Sequence, residues 1–365
     1  MKKIICLFIS LTLLLLSSCG EPKYPPVEST DAEAEVLFTL GIKDKTYEVK
    51  YELYRAFFLT YKSEVDGGDS SVWTSDKKDE YVSKMNGLII PKIADIYSTL
   101  YLCEETGFDL YSKKVEDKIE EYIVQSIEGG DTDGMVIEGY GTYENYLAEL
   151  RKLNHNYQTQ LILYRYAIAQ DVINEYYIGT LTEDNISENA TEGAIKYTEG
   201  DVREFYDSDD CVRVLRAYVQ ERLGEARAEA IRSKMLEANG EEAVAAAIIG
   251  NTLTAASDVI NGVIISPHNL EAAHYTEMTN AALNLSDGEV SEVIYVRTGY
   301  ENGYFILYKA SKSDEHFEEC YDDIVSAYLD NRIGELLSDV KGDMLKSVEY
   351  TDAYTELIHA DISMD

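Results

Sequence analysis

Proline and histidine are scarce in this chain, 5 of each in 365 residues, and Trp73 is the single tryptophan. So few prolines beside 23 glycines exclude collagen-like and proline-rich classes. The histidines are His155, His268, His274, His316 and His359, and none forms HExxH or another close ligand pair. GxSxG, the P-loop and GxGxxG are also missing, so no cofactor and no metal is implied. Asp207-Ser208-Asp209-Asp210 lacks the spaced ligands and glycine of a calcium loop and reads as an acidic helix end. Positive charge is short too: 32 Lys and Arg against 68 Asp and Glu leave a net charge of −36. Such a chain repels phosphates, which argues against a nucleic-acid partner, and an anionic bilayer surface repels it as well. Apolar residues still make up 45% and charged residues 27%, ordinary globular usage, and the length corresponds to about two domains. Tyrosine is in excess, 30 against 8 Phe. It buries area while keeping a polar tip, which suits half-buried helix faces or half-wet grooves.

The start of the chain is distinctive. Met1-Lys2-Lys3 is basic, and Ile4 to Leu16 is an apolar run broken only by Ser10 and Thr12. This run is shorter than the ~20 residues of a spanning helix and fits a signal peptide. Leu16-Ser17-Ser18-Cys19 resembles the lipobox of bacterial lipoproteins. The resemblance implies diacylglyceryl transfer to the Cys19 thiol and cleavage before it. The expected order is therefore a leader over 1–18 and a lipidated flexible tether over 19–34, which holds Pro22, Pro25 and Pro26. The protein would sit outside the cytoplasmic membrane, touching it through the Cys19 lipid alone. No other run approaches ~18 apolar residues. Cys103, Cys211 and Cys320 are odd in number and widely spaced, so neither a disulfide framework nor a zinc site is implied.

Periodicity then divides the chain. Residues 35–50 turn at Gly41 and Asp44 like a small hairpin. Tyr81, Met85, Leu88, Ile89, Ile93, Ile96, Tyr97 and Leu100 form a helical apolar stripe with Gly107 as its stop. Tyr157 to Tyr176 repeats that pattern, and 128–143, rich in Gly and Asp, reads as a loop. The polar stretch 179–198 marks a boundary. Beyond it, 201–206 reads as a helix, 212–219 as a strand and 225–237 as a helix. Residues 293–296 and 304–308 form short strands around a turn. Phe317 to Val348 marks a long amphipathic helix with a break near Gly342. The fold class is α+β and mostly helical: a helical domain over 35–195, a small α/β domain over 196–312, and a C-terminal helical segment, 313–365, whose apolar stripe packs back on the first domain.

Ala281-Ala282-Leu283-Asn284-Leu285-Ser286-Asp287-Gly288-Glu289-Val290-Ser291 resembles the signature of parvulin-type peptidyl-prolyl isomerases. Cys211 to Val214 resembles the family's opening strand, 226–236 the helix that follows, and Tyr304 to Lys309 its closing strand. Lipobox, helical segment, parvulin-like domain and C-terminal helix together resemble PrsA-type foldase lipoproteins and the related SurA chaperone. Parvulins place two histidines under the prolyl bond beside a Cys or Asp, with Met and Phe forming a proline pocket. By resemblance the first-strand histidine falls on Arg216 and the last-strand one on Phe305, or on Glu301 if the hairpin extension is ignored. The pocket Met falls on His274, its first Phe on Met278 and the second on Leu283. The Cys/Asp position falls near Ser257 or Asp258. A fixed cation at 216 cannot copy a neutral imidazole, while Met278 and Leu283 are apolar enough to hold a proline ring. As ordinary residues, Arg216 suits a solvated strand, Met278, Leu283 and Phe305 a core, and His268 and His274 surface loops. The resemblance implies a folding factor for unfolded or nascent secreted polypeptides, its isomerase site degenerate. Two alternatives stay open: an active isomerase, and a structural or solute-binding lipoprotein sharing only the scaffold.

Overall fold

The computed structural model describes residues 22–132, 135–179, 193–252, 254, 256–268, 275–297 and 302–364. The chain divides into two compact units, Met1–Val172 with Val340–Asp365, and Ile173–Asp339. The sequence reading places these divisions at 195/196 and 312/313 instead. In the first unit run β1 (Val36–Ile42), β2 (Lys45–Lys50), α1 (Tyr51–Asp66), α2 (Lys78–Glu105), α3 (Lys113–Glu128), β3 (Gly130–Thr132), β4 (Met135–Ile137), α4 (Tyr143–Lys152) and most of α5 (Tyr157–Ile178). In the second run α6 (Glu199–Asp207), β5 (Val212–Gln220), α7 (Glu225–Glu237), α8 (Glu241–Ile249), α9 (Ala256–Asn261), β6 (Val263–Ile265), α10 (Thr276–Asn284), β7 (Ile294–Arg297), β8 (Asn302–Lys309), α11 (Asp314–Glu319) and most of α12 (Tyr321–Lys346). The chain ends in the first unit with β9 (Glu349–Tyr350) and α13 (Asp352–Glu356). No helix among the described residues is long and apolar enough to cross a membrane.

The first unit is helical around a small sheet of order β2-β1-β9. The expected hairpin over 35–50 is present, with Ile42 opposite Lys45. The apolar stripe of α2 buries Met85, Ile89, Ile93, Ile96 and Leu100, and α2 stops just before Gly107, whose φ of 87° suits glycine. The loop expected over 128–143 is in part a hairpin, β3 pairing antiparallel with β4; Val136 and Ile137 favour that state. The last helix does return to this unit. Lys341 Nζ lies 2.6 Å from Asp95. Ser347 Oγ accepts from the Gly41 N–H at 2.9 Å and donates to the Gly41 carbonyl at 2.5 Å. Tyr350 then pairs with Phe38, and Thr351 Oγ1 donates to the Val36 carbonyl at 2.7 Å. The helix break falls at Cys320, between α11 and α12, and not near Gly342, where the helix is continuous. The Ser313 hydroxyl caps α11 by accepting from the His316 N–H. A single helical glycine such as Gly342 costs only about 1 kcal/mol, too little to interrupt so long a helix.

Residues expected to form a flexible tether make specific contacts from Lys23 onward. The Lys23 N–H donates to Glu120 at 2.6 Å, and the Tyr24 hydroxyl donates to Glu128 at 2.6 Å. Tyr24 stacks on Tyr143, centroids 5.2 Å apart, and the Tyr143 hydroxyl donates to the Pro25 carbonyl at 2.6 Å. Glu33 pairs with Arg55 at 2.7 Å. Each exposed pair is weak alone, but together they line the segment along α3, α4 and α1.

In the second unit a four-stranded antiparallel sheet has the order β6-β5-β8-β7. One face packs Leu215, Ala217, Val219 and Ile306 against Ala228, Ile231 and Met235 of α7 and Val244 and Ile248 of α8. The other packs Val212, Val214, Phe305 and Leu307 against Met278 and Ala282 of α10. This is the small sheet wrapped by helices that the resemblance implies. A third cluster joins Val202, Phe205 and Tyr206 of α6 to Phe317 and Ile324.

The C-terminal closure carries a pH dependence. His359 is buried among Tyr54, Phe58, Trp73 and Tyr354, its Nε2 3.2 Å from the Tyr54 hydroxyl. Burial, with the nearby Lys78 charge, pulls its pKa down to about 4. As pH falls from about 6.5, the unfolded chain takes up the proton first, so stability falls until about pH 4. The loss from this residue is at most about 3 kcal/mol. Urea unfolding at pH 6.5 and 4.5 should show a smaller drop for His359→Phe than for the parent.

Candidate functional site

Two-residue alternation along β5 sets the site. Val212, Val214, Arg216 and Tyr218 point to the α10 face, and Arg213, Leu215, Ala217 and Val219 to the other. On β8, Phe305 and Leu307 share the first face, with Arg216 opposite Leu307 and Tyr218 opposite Phe305 in the antiparallel register. The Arg216 guanidinium carbon lies 5.7 Å from the Phe305 ring centroid, a cation–π contact. Phe305 is also packed by Tyr218, at 5.0 Å, and edge-on by Tyr275, at 5.9 Å. Met278 belongs to the same cluster, and Leu283 packs against it. Gly303 makes room: a Cβ there would lie 2.6 Å from the Tyr218 ring and from the Val219 carbonyl.

Burial separates floor from rim. Phe305 is 1% exposed and Met278 5%, so both are core. Arg216, Tyr218, Tyr275 and Leu283 are half-buried and form the accessible surface. Of the positions implied by the resemblance, the structure brings together Arg216, Met278, Leu283 and Phe305. Ser257 and Asp258 fall in α9, their side chains outside what is described, and His274, Glu301 and Cys19 lie outside the described residues. Neither β5 nor β8 contains a histidine. Tyr218 and Tyr275 escaped the sequence reading. The two-residue step from Arg216 was enough to place Tyr218 on this face; nothing comparable marked Tyr275.

Two arginines three residues apart have opposite surroundings. Arg213 is buried and saturated. It donates to the carbonyls of Asn261 at 2.8 Å, Ile260 at 3.2 Å and Ser311 at 3.1 Å, and pairs with Glu241 at 2.7 Å. It thus places a cation on the last carbonyls of α9. The His316 Nε2–H donates to the same Asn261 carbonyl at 2.7 Å, while Nδ1 faces the Tyr206 hydroxyl at 2.8 Å. Burial, helped by the Arg213 charge, holds His316 below the usual histidine range. Arg216 has none of this. Its Nε is buried without a hydrogen-bond partner, and its one polar contact among the described residues is the Phe305 ring. Among the described residues the face therefore offers apolar contact and one fixed cation, and neither β5 nor β8 places an imidazole on it.

No family model matches the chain, and no curated protein matches it. Among solved structures it is similar to PrsA from Bacillus subtilis, with 16% identity, 74% of this chain and 88% of that chain covered, and a TM-score of 0.23. It is similar as well to foldase protein PrsA from Streptococcus pneumoniae, with 14% identity, 86% and 97% covered and a TM-score of 0.25. The foldase protein PrsA from Lactococcus lactis is similar at 13% identity, with 90% and 99% covered and a TM-score of 0.24.

The two arginines should separate in a stability measurement. Arg213→Ala strands Glu241 and uncaps α9, and should cost about 3 kcal/mol. Arg216→Ala should stay within about 1 kcal/mol of the parent. Urea unfolding of each variant checks both values.

Proposed function

We propose that the protein is a membrane-anchored extracytoplasmic folding factor that binds non-native exported polypeptides and whose parvulin-like site grips without turnover. The observation that carries this reading is the β5–β8 face, where an apolar floor and an aromatic rim surround the Arg216 guanidinium; the resemblance implies an imidazole at that position. Prolyl isomerisation breaks no bond. It needs a rotation barrier of ~20 kcal/mol lowered, by holding a twisted amide in an apolar pocket and relieving resonance at its nitrogen. Arg216 and Phe305 supply no imidazole for that polar network, whereas Leu283, Tyr218 and Tyr275 still supply sequence-tolerant contact.

The first unit supports the same reading. A depression there is lined by Glu35, Tyr51, Glu356, Leu357, Ile358 and Asp361, and Ile358 is 57% exposed. Mixed acidic and apolar lining suits basic, apolar segments of unfolded chains. Binding of this kind is weak and exchangeable and acts on unfolded chains by mass action. The acidic surface keeps the complexes soluble. The proposed anchor also fixes position. Lys23 is held by Glu120 and Glu128, and four residues reach at most ~14 Å. A lipid on Cys19 would therefore hold the first unit close to the bilayer.

Three measurements test the proposal. The mature chain at several-fold molar excess should suppress aggregation of an unfolded secreted protein; no suppression favours the structural or solute-binding alternative. A protease-coupled assay on a proline peptide should show no acceleration, and turnover that Phe305→Ala abolishes would restore the isomerase. Cys19→Ala should release the protein from membranes, and undiminished retention would contradict the lipid anchor.

A further inference from the structure

The unpaired guanidinium at the centre of the grip surface needs an explanation. A buried donor without a partner costs about 1–3 kcal/mol, and such groups are rare enough that each one asks for a reason. Arg216 Nε is such a donor. The fold is not short of acceptors for arginine: Arg213, on the same strand, has three carbonyls and a carboxylate. Nor is the protein short of carboxylates, with 68 Asp and Glu in the chain. Yet no described carboxylate reaches Arg216, whose guanidinium carbon instead lies over the Phe305 ring, 5.7 Å away. Phe305 is in turn fixed by Tyr218 and Tyr275. A planar guanidinium fork held over a ring loses less freedom per hydrogen bond when it engages an anion than a flexible ammonium does.

We propose that Arg216 is a carboxylate anchor, taking an acidic group on the bound polypeptide next to an apolar residue that lies against Leu283, Tyr218 and Tyr275. The inference rests on the reading of this face as a peptide-gripping surface and adds the class of segment it prefers. A planar fork matches a carboxylate through two parallel N–H···O bonds, and carboxylates are what secreted chains offer, on Asp and Glu side chains or at a C-terminus. The net charge of −36 repels acidic segments at long range. Any preference for them must therefore be local, and it survives at physiological salt, where fields fade over about 8 Å.

The test uses the mature chain and three labelled eight-residue peptides that share one apolar, proline-containing core. The first carries an internal Glu and an amidated end, the second Gln in its place, and the third Gln with a free C-terminal carboxylate. Fluorescence anisotropy at physiological salt should show at least one carboxylate peptide binding about tenfold tighter than the amidated Gln peptide. Which one does so identifies the source. The advantage should vanish in Arg216→Gln and shrink in Arg216→Lys, which keeps the charge but loses the fork. Circular dichroism of both variants verifies folding, and if Arg216→Gln is unfolded the lysine variant decides. Equal binding of all three peptides to the parent, or a carboxylate preference unchanged in Arg216→Lys and Arg216→Gln, overturns the anchor and leaves the grip standing. No binding of any peptide overturns the grip and the anchor together.

Discussion

The site depends on the register in which β5 pairs with β8. With Arg216 opposite Leu307 and Tyr218 opposite Phe305, the guanidinium lies over the Phe305 ring and the tyrosine closes beside it. A slip of one residue would turn every side chain of the strand to the other face. Arg213 would then enter the α10 cluster and no longer reach Glu241 or the end of α9, while Arg216 would be pushed among Ala228, Ile231 and Ile306. Gly303 enforces the same register from the other side, since Tyr218 occupies the space a side chain would need. The apolar clusters on both faces of the sheet thus specify where Arg216 sits.

Structural and functional demands are separated along a single strand. Arg213 and His316 bind the carbonyls that end α9 and are wholly consumed by that task. The side chain of Arg216, on the opposite face, has the Phe305 ring as its one polar contact among the described residues. On the proposed reading, a permanent charge and a phenyl ring stand where the resemblance to parvulins implies titratable imidazoles. Such an exchange would remove proton-dependent tuning and keep shape, apolar area and one directional electrostatic contact, favouring holding over twisting. In the first unit β1 closes on the segment after α12 through Ser347, Tyr350 and Thr351, so a sheet begun before the second unit in sequence is completed only after it.

Much of this was legible in the sequence. The stripes over 81–100 and 157–176 follow from apolar spacing, the helix over 225–237 from its Ala, Arg and Glu content, and β5, β7 and β8 from β-branched and aromatic runs. Loop-like composition hid the hairpin at 130–137, where three-residue strands leave too little pattern to detect. Glycine is a poor helix former, so a break is expected near Gly342, but the interruption lies where Ser313 starts a separate short helix and Cys320 ends it. The polar, proline-rich segment from Lys23 reads as free because its partners, Glu120, Glu128 and Tyr143, lie roughly a hundred residues away. At the site, alignment of motifs supplied Arg216, Met278, Leu283 and Phe305. Burial, which the sequence does not show, then sorted them into floor and rim.

The most direct measurement follows the Nε–Hε resonances of Arg213 and Arg216 by NMR as an unfolded secreted polypeptide is added to the mature chain. The account predicts that the Arg216 signal shifts and gains protection as its buried donor finds an acceptor, while the Arg213 signal, already saturated, does not move. Binding that leaves Arg216 unchanged would place the polypeptide elsewhere and contradict the account.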